Sequence, residues 1–165
     1  MRLLNWLSAV FFIGFIFTAD TTAYALFEAG VDSYNIDFGF MNIGEVRELQ
    51  EKGSYHNEIN CRSDTGQAWY LKIQAVEPLT SGDDRIPYED FKWAVIEVID
   101  GDGVIYNKDM YNVFSDTPFL VYTSGPSDYT GAEVKVRFKY SLSIPRNQAA
   151  GNYRAVIRYT MTEVP

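Results

Sequence analysis

Cysteine and histidine are almost missing from this sequence: Cys61 and His56 are the only residues of their kinds. A lone cysteine cannot form an internal bridge, which excludes a small disulfide-stapled scaffold. One histidine with one cysteine also falls short of the usual ligand set of a zinc site. Catalysis by a Cys–His pair would need an activated thiol and a third group to orient the base. Positions 56 and 61 are an odd number of residues apart, so in a strand their side chains project to opposite faces, against a dyad. The expectation is a surface histidine and a buried, inert cysteine, with a bridge from Cys61 to another chain as the alternative.

Positive charge is scarce too. The chain carries 14 Lys and Arg against 22 Asp and Glu, a net charge of −8. Nucleic acid and anionic membrane surfaces both call for clustered Lys and Arg, and no such cluster is present. Helical periodicity is absent after residue 26, and so are long apolar runs. The one exception lies at the N-terminus. Arg2 supplies a positive start, Leu3 to Thr18 is apolar apart from Asn5 and Ser8, and Ala23-Tyr24-Ala25 is an A-x-A cleavage site. That apolar stretch of 16 residues is shorter than the roughly 20 needed to span a bilayer. Residues 1–25 are therefore expected to be a cleaved signal peptide, with residues 26–165 as a single exported domain beginning at Leu26. No membrane insertion is expected after cleavage.

What is abundant is alternation. In Glu133–Ile144, Val134, Val136, Phe138, Tyr140 and Leu142 point one way, and Glu133, Lys135, Arg137, Lys139 and Ser141 the other. This period of two marks a half-buried strand, typical of antiparallel sheets. Pro145 should end it. Tyr153, Ala155, Ile157, Tyr159 and Met161 repeat the pattern. Further strands are predicted at 34–38, 55–61, 68–76, 91–99 and 119–123, and Glu45–Lys52 suits either a helical turn or an edge strand. Turn-rich segments at 63–66, 81–84, 100–103 and 124–127 separate them. About seven short strands at this spacing predict an all-β, antiparallel β-sandwich.

No catalytic motif emerges. Asp100-Gly101-Asp102-Gly103 has the look of a calcium loop, but position five would be Val104 and position twelve Tyr111, where an EF-hand needs oxygen ligands and a glutamate. A hairpin turn is the favoured reading, with Asp-Gly supplying positive φ. Asp83 and Asp84 beside Gly82 read as an exposed loop, so weak calcium binding at Asp83, Asp84, Asp100 and Asp102 stays open. Carboxylates cannot be paired into a glycosidase site, and no nucleophile elbow is present. Aromatic residues are plentiful: 3 Trp, 12 Tyr and 11 Phe. Trp69 is in phase with Leu71 and Ile73, and Trp93 with Phe91 and Val95, so both are expected in the core. Tyr70, Tyr106, Tyr111, Tyr122 and Tyr129 are freer, and form the candidate ligand platform, with interface or core packing as the competing reading.

Three stretches together carry a likeness. Ile36-Asp37-Phe38-Gly39 comes first, then Ile59-Asn60-Cys61-Arg62-Ser63-Asp64-Thr65-Gly66 running into Trp69-Tyr70-Leu71-Lys72-Ile73. Ile144-Pro145, Gln148 to Tyr153 and Tyr159-Thr160-Met161-Thr162 complete it. Their order resembles the spore coat U-type secreted domain, the immunoglobulin-like fold of pilins in archaic chaperone–usher fibres. The family commonly has a second cysteine that bridges to the one matching Cys61, absent here, and an acidic residue where this chain has Arg154. The resemblance implies an immunoglobulin-like sandwich without cofactor or enzymatic activity, secreted, periplasmic or on the cell surface. Its partners would be copies of itself or related subunits and a periplasmic chaperone. It also implies a sheet lacking its last strand, since only Glu163, Val164 and Pro165 follow the 153–162 run. A strand donated from another chain would fill the gap by β-augmentation, and Phe27, Ala29 and Val31 are the candidate donor residues. The competing reading is a sandwich closed by its own first strand. A different class of function, a monomeric binding module for envelope polysaccharide or another surface ligand, also fits the residues.

Overall fold

A computed structural model describes residues 25–32, 36–50, 52–82 and 84–165. The expected signal peptide, Ala25 excepted, lies outside the described residues, as does Asp83. Fourteen strands are formed among them. They are β1 (Phe27–Val31), β2 (Ile36–Met41), β3 (Val46–Leu49), β4 (Asn57–Ser63), β5 (Tyr70–Ala75), β6 (Leu79–Ser81) and β7 (Asp84–Ile86). After a 3-10 turn at Tyr88–Asp90 come β8 (Phe91–Ile99), β9 (Val104–Ile105), β10 (Asn112–Val113), β11 (Phe119–Thr123), β12 (Glu133–Ser143), β13 (Gly151–Ala155) and β14 (Ile157–Thr162). The chain is all-β, with every strand pair antiparallel.

The largest sheet runs β1-β4-β12-β8-β10, with β3 also pairing β12. The undecided segment 45–52 thus resolves as an edge strand: Val46–Leu49 lie against Ser143–Tyr140. Two smaller sheets, β14-β5-β11-β9 and β2-β13-β6-β7, are threaded by the same chain runs. β5 leads into β6 and β13 into β14. Together they make the second layer of a sandwich-like arrangement.

Alternation explains why the layers pack. In β12 all five predicted inward residues, Val134 to Leu142, have no exposed surface, while their neighbours stay half-exposed. Trp69 and Trp93 are core residues, as expected. Phe91 stacks on Phe114 with ring centroids 4.2 Å apart, and meets Phe38 edge-on at 5.8 Å. Such geometries add to the burial term that dominates folding.

Two expectations are corrected. His56 is buried, not at the surface: its backbone N–H donates to the Phe138 carbonyl at 2.7 Å and its ring meets Tyr140 edge-on. It sits just before β4, where chain entry brings it under β12. Asp100–Gly103 is not a hairpin turn either. It links β8 in the large sheet to β9 in a smaller one. Only Asp100 there has a positive φ, 58°. The glycines are required by close approach: a Cβ on Gly103 would lie 2.1 Å from the Thr123 carbonyl oxygen, and one on Gly101 would lie 2.5 Å from the Tyr122 hydroxyl.

Candidate functional site: a groove beside an open strand edge

Residues 151–162 form one chain run broken at Val156 into β13 and β14. β13 has a partner on each side, β2 and β6. β14 pairs only with β5, from Ile157 opposite Ala75 to Thr162 opposite Tyr70. Because β5 leads into β6, these lie on one side of the run, and β2 on the other. The side covered by β2 along β13 is therefore uncovered along β14. Among the described residues, nothing pairs with that edge.

Facing the open edge from the large sheet is β1. Its register sets Phe27 opposite Ser63, Ala29 opposite Cys61 and Val31 opposite Ile59. Ser63, Cys61 and Ile59 are all buried. Directly opposed residues share a face, so Phe27, Ala29 and Val31 point inward. Yet Phe27 is 38% exposed, and only Val31 packs against the core. These inward-facing side chains stay wet because, among the described residues, no strand of the opposite layer covers them. The result is a groove of about 380 Å³ between β1 and β14, lined chiefly by Ala29, Val31, Ile36, Ile59, Val76 and Ile157, with Arg158 and Tyr159 at its border. Val156, at its mouth, is 55% exposed.

At one end the groove meets a buried polar triad. The Tyr140 hydroxyl donates to Asn57 Oδ1 at 2.5 Å and touches the Tyr159 hydroxyl, and Asn57 Nδ2 donates to Tyr159 at 3.2 Å. Burial pushes the Tyr159 phenol up to about 12, against the lowering effect of its hydrogen bonds to Tyr140 and Asn57. Burial also holds the Tyr140 phenol far above its ordinary range. Both therefore stay neutral and serve as hydrogen-bonding groups.

β1 is anchored at its ends. Leu26 N–H donates to Asp64 Oδ1 at 2.5 Å. Asp32 accepts from the Glu58 N–H at 2.8 Å and pairs with Lys52 at 2.6 Å. The candidate donor residues are thus an edge strand of their own sheet. They do not close the sheet that ends at β14.

The candidate tyrosines separate. Tyr122 is a core residue without exposed surface, its hydroxyl donating to Asp128 Oδ2 at 2.6 Å, so it belongs to no platform. The bulge between Leu120 and Tyr122 turns it inward opposite Leu71. Tyr129 is partly buried against the core. Tyr111 is partly buried beneath Lys139, whose ammonium stands 4.8 Å from its ring centre. Tyr70 and Tyr106 both neighbour Thr123 on the outer face of the β14-β5-β11-β9 sheet. Tyr70 stands opposite Thr123, whose hydroxyl lies 3.3 Å from that of Tyr106.

Sequence reasoning passed over Asp128, which sits in a turn-rich stretch that reads as solvent-facing. It is fully buried. Its carboxylate accepts from Tyr122, from Gly125 N–H at 2.7 Å and from Asp102 N–H at 3.1 Å. Asp102 in turn accepts from Ser127 N–H at 3.3 Å. The loops at 100–103 and 124–128 are therefore clasped to each other through Asp102 and Asp128. No group of three or more His, Cys, Asp and Glu among the described residues is placed to hold a metal ion. Burial pushes the Cys61 thiol up to about 12, so it is no nucleophile.

Comparison with known proteins gives no match to any family model, any curated protein or any solved structure. What is defined is a class: an all-β antiparallel protein in which, among the described residues, the unpaired edge of β14 lies beside a largely apolar groove.

Proposed function

We propose that this chain is an exported structural subunit of a fibre-like assembly, an immunoglobulin-like sandwich completed by a strand from a second copy. The observation that carries the reading is the unpaired edge of β14 above an apolar groove. An uncovered edge of this kind templates strand addition, and natural proteins normally block it.

Two features support the immunoglobulin-like reading. The order β1-β4-β12-β8 matches the A-B-E-D sheet of that architecture, with β5 and β14 as C and F. The Tyr153 hydroxyl donates to the Ala149 carbonyl at 2.6 Å, the tyrosine corner found near the start of strand F. In that scheme the strand after F is the one missing.

The donor we favour is β1. The open edge of β14 spans six residues, about 20 Å at the usual rise of a strand. β1 has five residues, with Phe27, Ala29 and Val31 on one face. Three alternate apolar side chains suit a groove of that length. Parity also argues against the chain closing its own gap. Ile36 and Phe38 are the inward residues of β2. Continuing β2 straight back along β14 would turn Glu28, Gly30 and Asp32 inward and expose Phe27, Ala29 and Val31, because a strand reverses faces at every residue. An export signal at residues 1–25 would bring the chain to the compartment where a chaperone could cover the edge before assembly.

Ala29→Cys tests the donor. Directly opposed residues of an antiparallel pair lie about 4.5–5.5 Å apart at Cα, within disulfide range, so the introduced thiol, oxidised during refolding from denaturant while Cys61 is accessible, should bridge to Cys61 and lock β1 in place. The expected result is multimers for the natural chain and monomers for the oxidised variant, reversed by reductant. A natural chain that is monomeric at all concentrations overturns the assembly, and multimers that survive the lock overturn β1 as donor.

A further inference from the structure

We infer that the outer face of the β14-β5-β11-β9 sheet binds an acidic polysaccharide, with Tyr70 and Tyr106 as stacking groups and Lys72 and Arg158 as counter-charges. The cross-strand register carries the case. Thr162, Tyr70, Thr123 and Val104 form one row across four strands. In the next row Thr160 faces Lys72, and Arg158 stands opposite Gln74 beyond it. Leu71 and Ile73, between these positions on β5, have essentially no exposed surface, so Tyr70, Lys72 and Gln74 point outward. Tyr106 shares that outward side with Val104, 37% and 58% exposed respectively. Its hydroxyl reaches Thr123, beside Tyr70.

Charge decides the kind of ligand. The outer face of the large sheet carries both signs and pairs them, with Arg137 held between Glu58 at 2.7 Å and Glu97 at 2.8 Å. The outer face of the smaller sheet has no Asp or Glu on any of its four strands. Within a chain of net charge −8, it presents Lys72 and Arg158 as diagonal neighbours, about 7–8 Å apart at Cα in an antiparallel pair. Neither has a carboxylate partner: Lys72 donates to the Val164 carbonyl, and Arg158 makes no ion pair among the described residues. Two aromatic rings, a row of hydroxyls and two unneutralised cations match a sugar chain bearing carboxylates. Arg158 also borders the groove beside the β14 edge, whereas Tyr70, Lys72 and Tyr106 are not among the groove's lining residues.

Calorimetric titration of the full chain with polygalacturonate, and with dextran as the neutral control, tests the inference. Polygalacturonate should bind, dextran should bind at least tenfold more weakly, and added salt should weaken the complex by screening. Tyr106→Ala, at an exposed position, should lower affinity about tenfold, and Lys72→Gln should reduce the salt dependence. Equal affinity for dextran, no binding of polygalacturonate, or full affinity in both variants each overturns the proposal.

Discussion

Asp128→Ala offers the sharpest test of how the loops are held. The carboxylate is wholly buried and accepts from Tyr122, Gly125 and Asp102. Its removal orphans the Tyr122 hydroxyl proton and the buried Gly125 N–H, and each unsatisfied buried donor costs about 1–3 kcal/mol. The Asp102 N–H, nearer solvent, adds less. A loss of about 3–5 kcal/mol follows, a large part of the roughly 5–15 kcal/mol that holds a domain folded. In urea, at an m-value of about 2 kcal/mol/M, the midpoint should fall by about 2 M. Asp128→Asn, which keeps one acceptor oxygen, should lose only about 1–2 kcal/mol. Tyr122→Phe leaves Gly103 N–H without its 2.7 Å partner, and in a double-mutant cycle with Asp128→Ala it should show coupling of about 1 kcal/mol. A loss below about 1 kcal/mol for Asp128→Ala, or strict additivity in the cycle, would falsify the clasp.

Three further outcomes can be checked. Cys61, its thiol pushed up to about 12 by burial, should resist iodoacetamide at pH 8 in the native protein and react fully in denaturant, as mass spectrometry would record. Gly103→Ala must move the Thr123 backbone and should destabilise by 2 kcal/mol or more, roughly; Gly30→Ala meets nothing within 4 Å and should be neutral or slightly stabilising in the same urea titration. Glu45 is held below its ordinary pKa of 4.5 by the Asn42 N–H and then by Arg47. A carboxyl lowered in the folded state contributes fully above its unfolded value and less as pH falls through the folded one. Wild type should therefore lose part of its stability below about pH 4.5, and Glu45→Gln should lessen that slope in melts between pH 5 and pH 2.5; an unchanged slope would refute the assignment.

Alternation alone determined that the chain is all-β and which face of each long strand is buried. A strand has only two sides, so the apolar phase of 133–143 or 70–75 names the inner one without knowledge of the partner. Tertiary structure decided everything that depends on who sits beside whom. Tyr122 looks free until the bulge in β11 turns it onto Asp128, and Asp128 looks wet until two loops close over it. His56 looks exposed until chain entry places it under Tyr140. The bare edge of β14 was not legible in the sequence: it required β2 to cover β13 and stop, leaving β14 unpaired opposite β1, because hydrogen-bond partners between strands are chosen by register across the whole chain and not by any local run of residues.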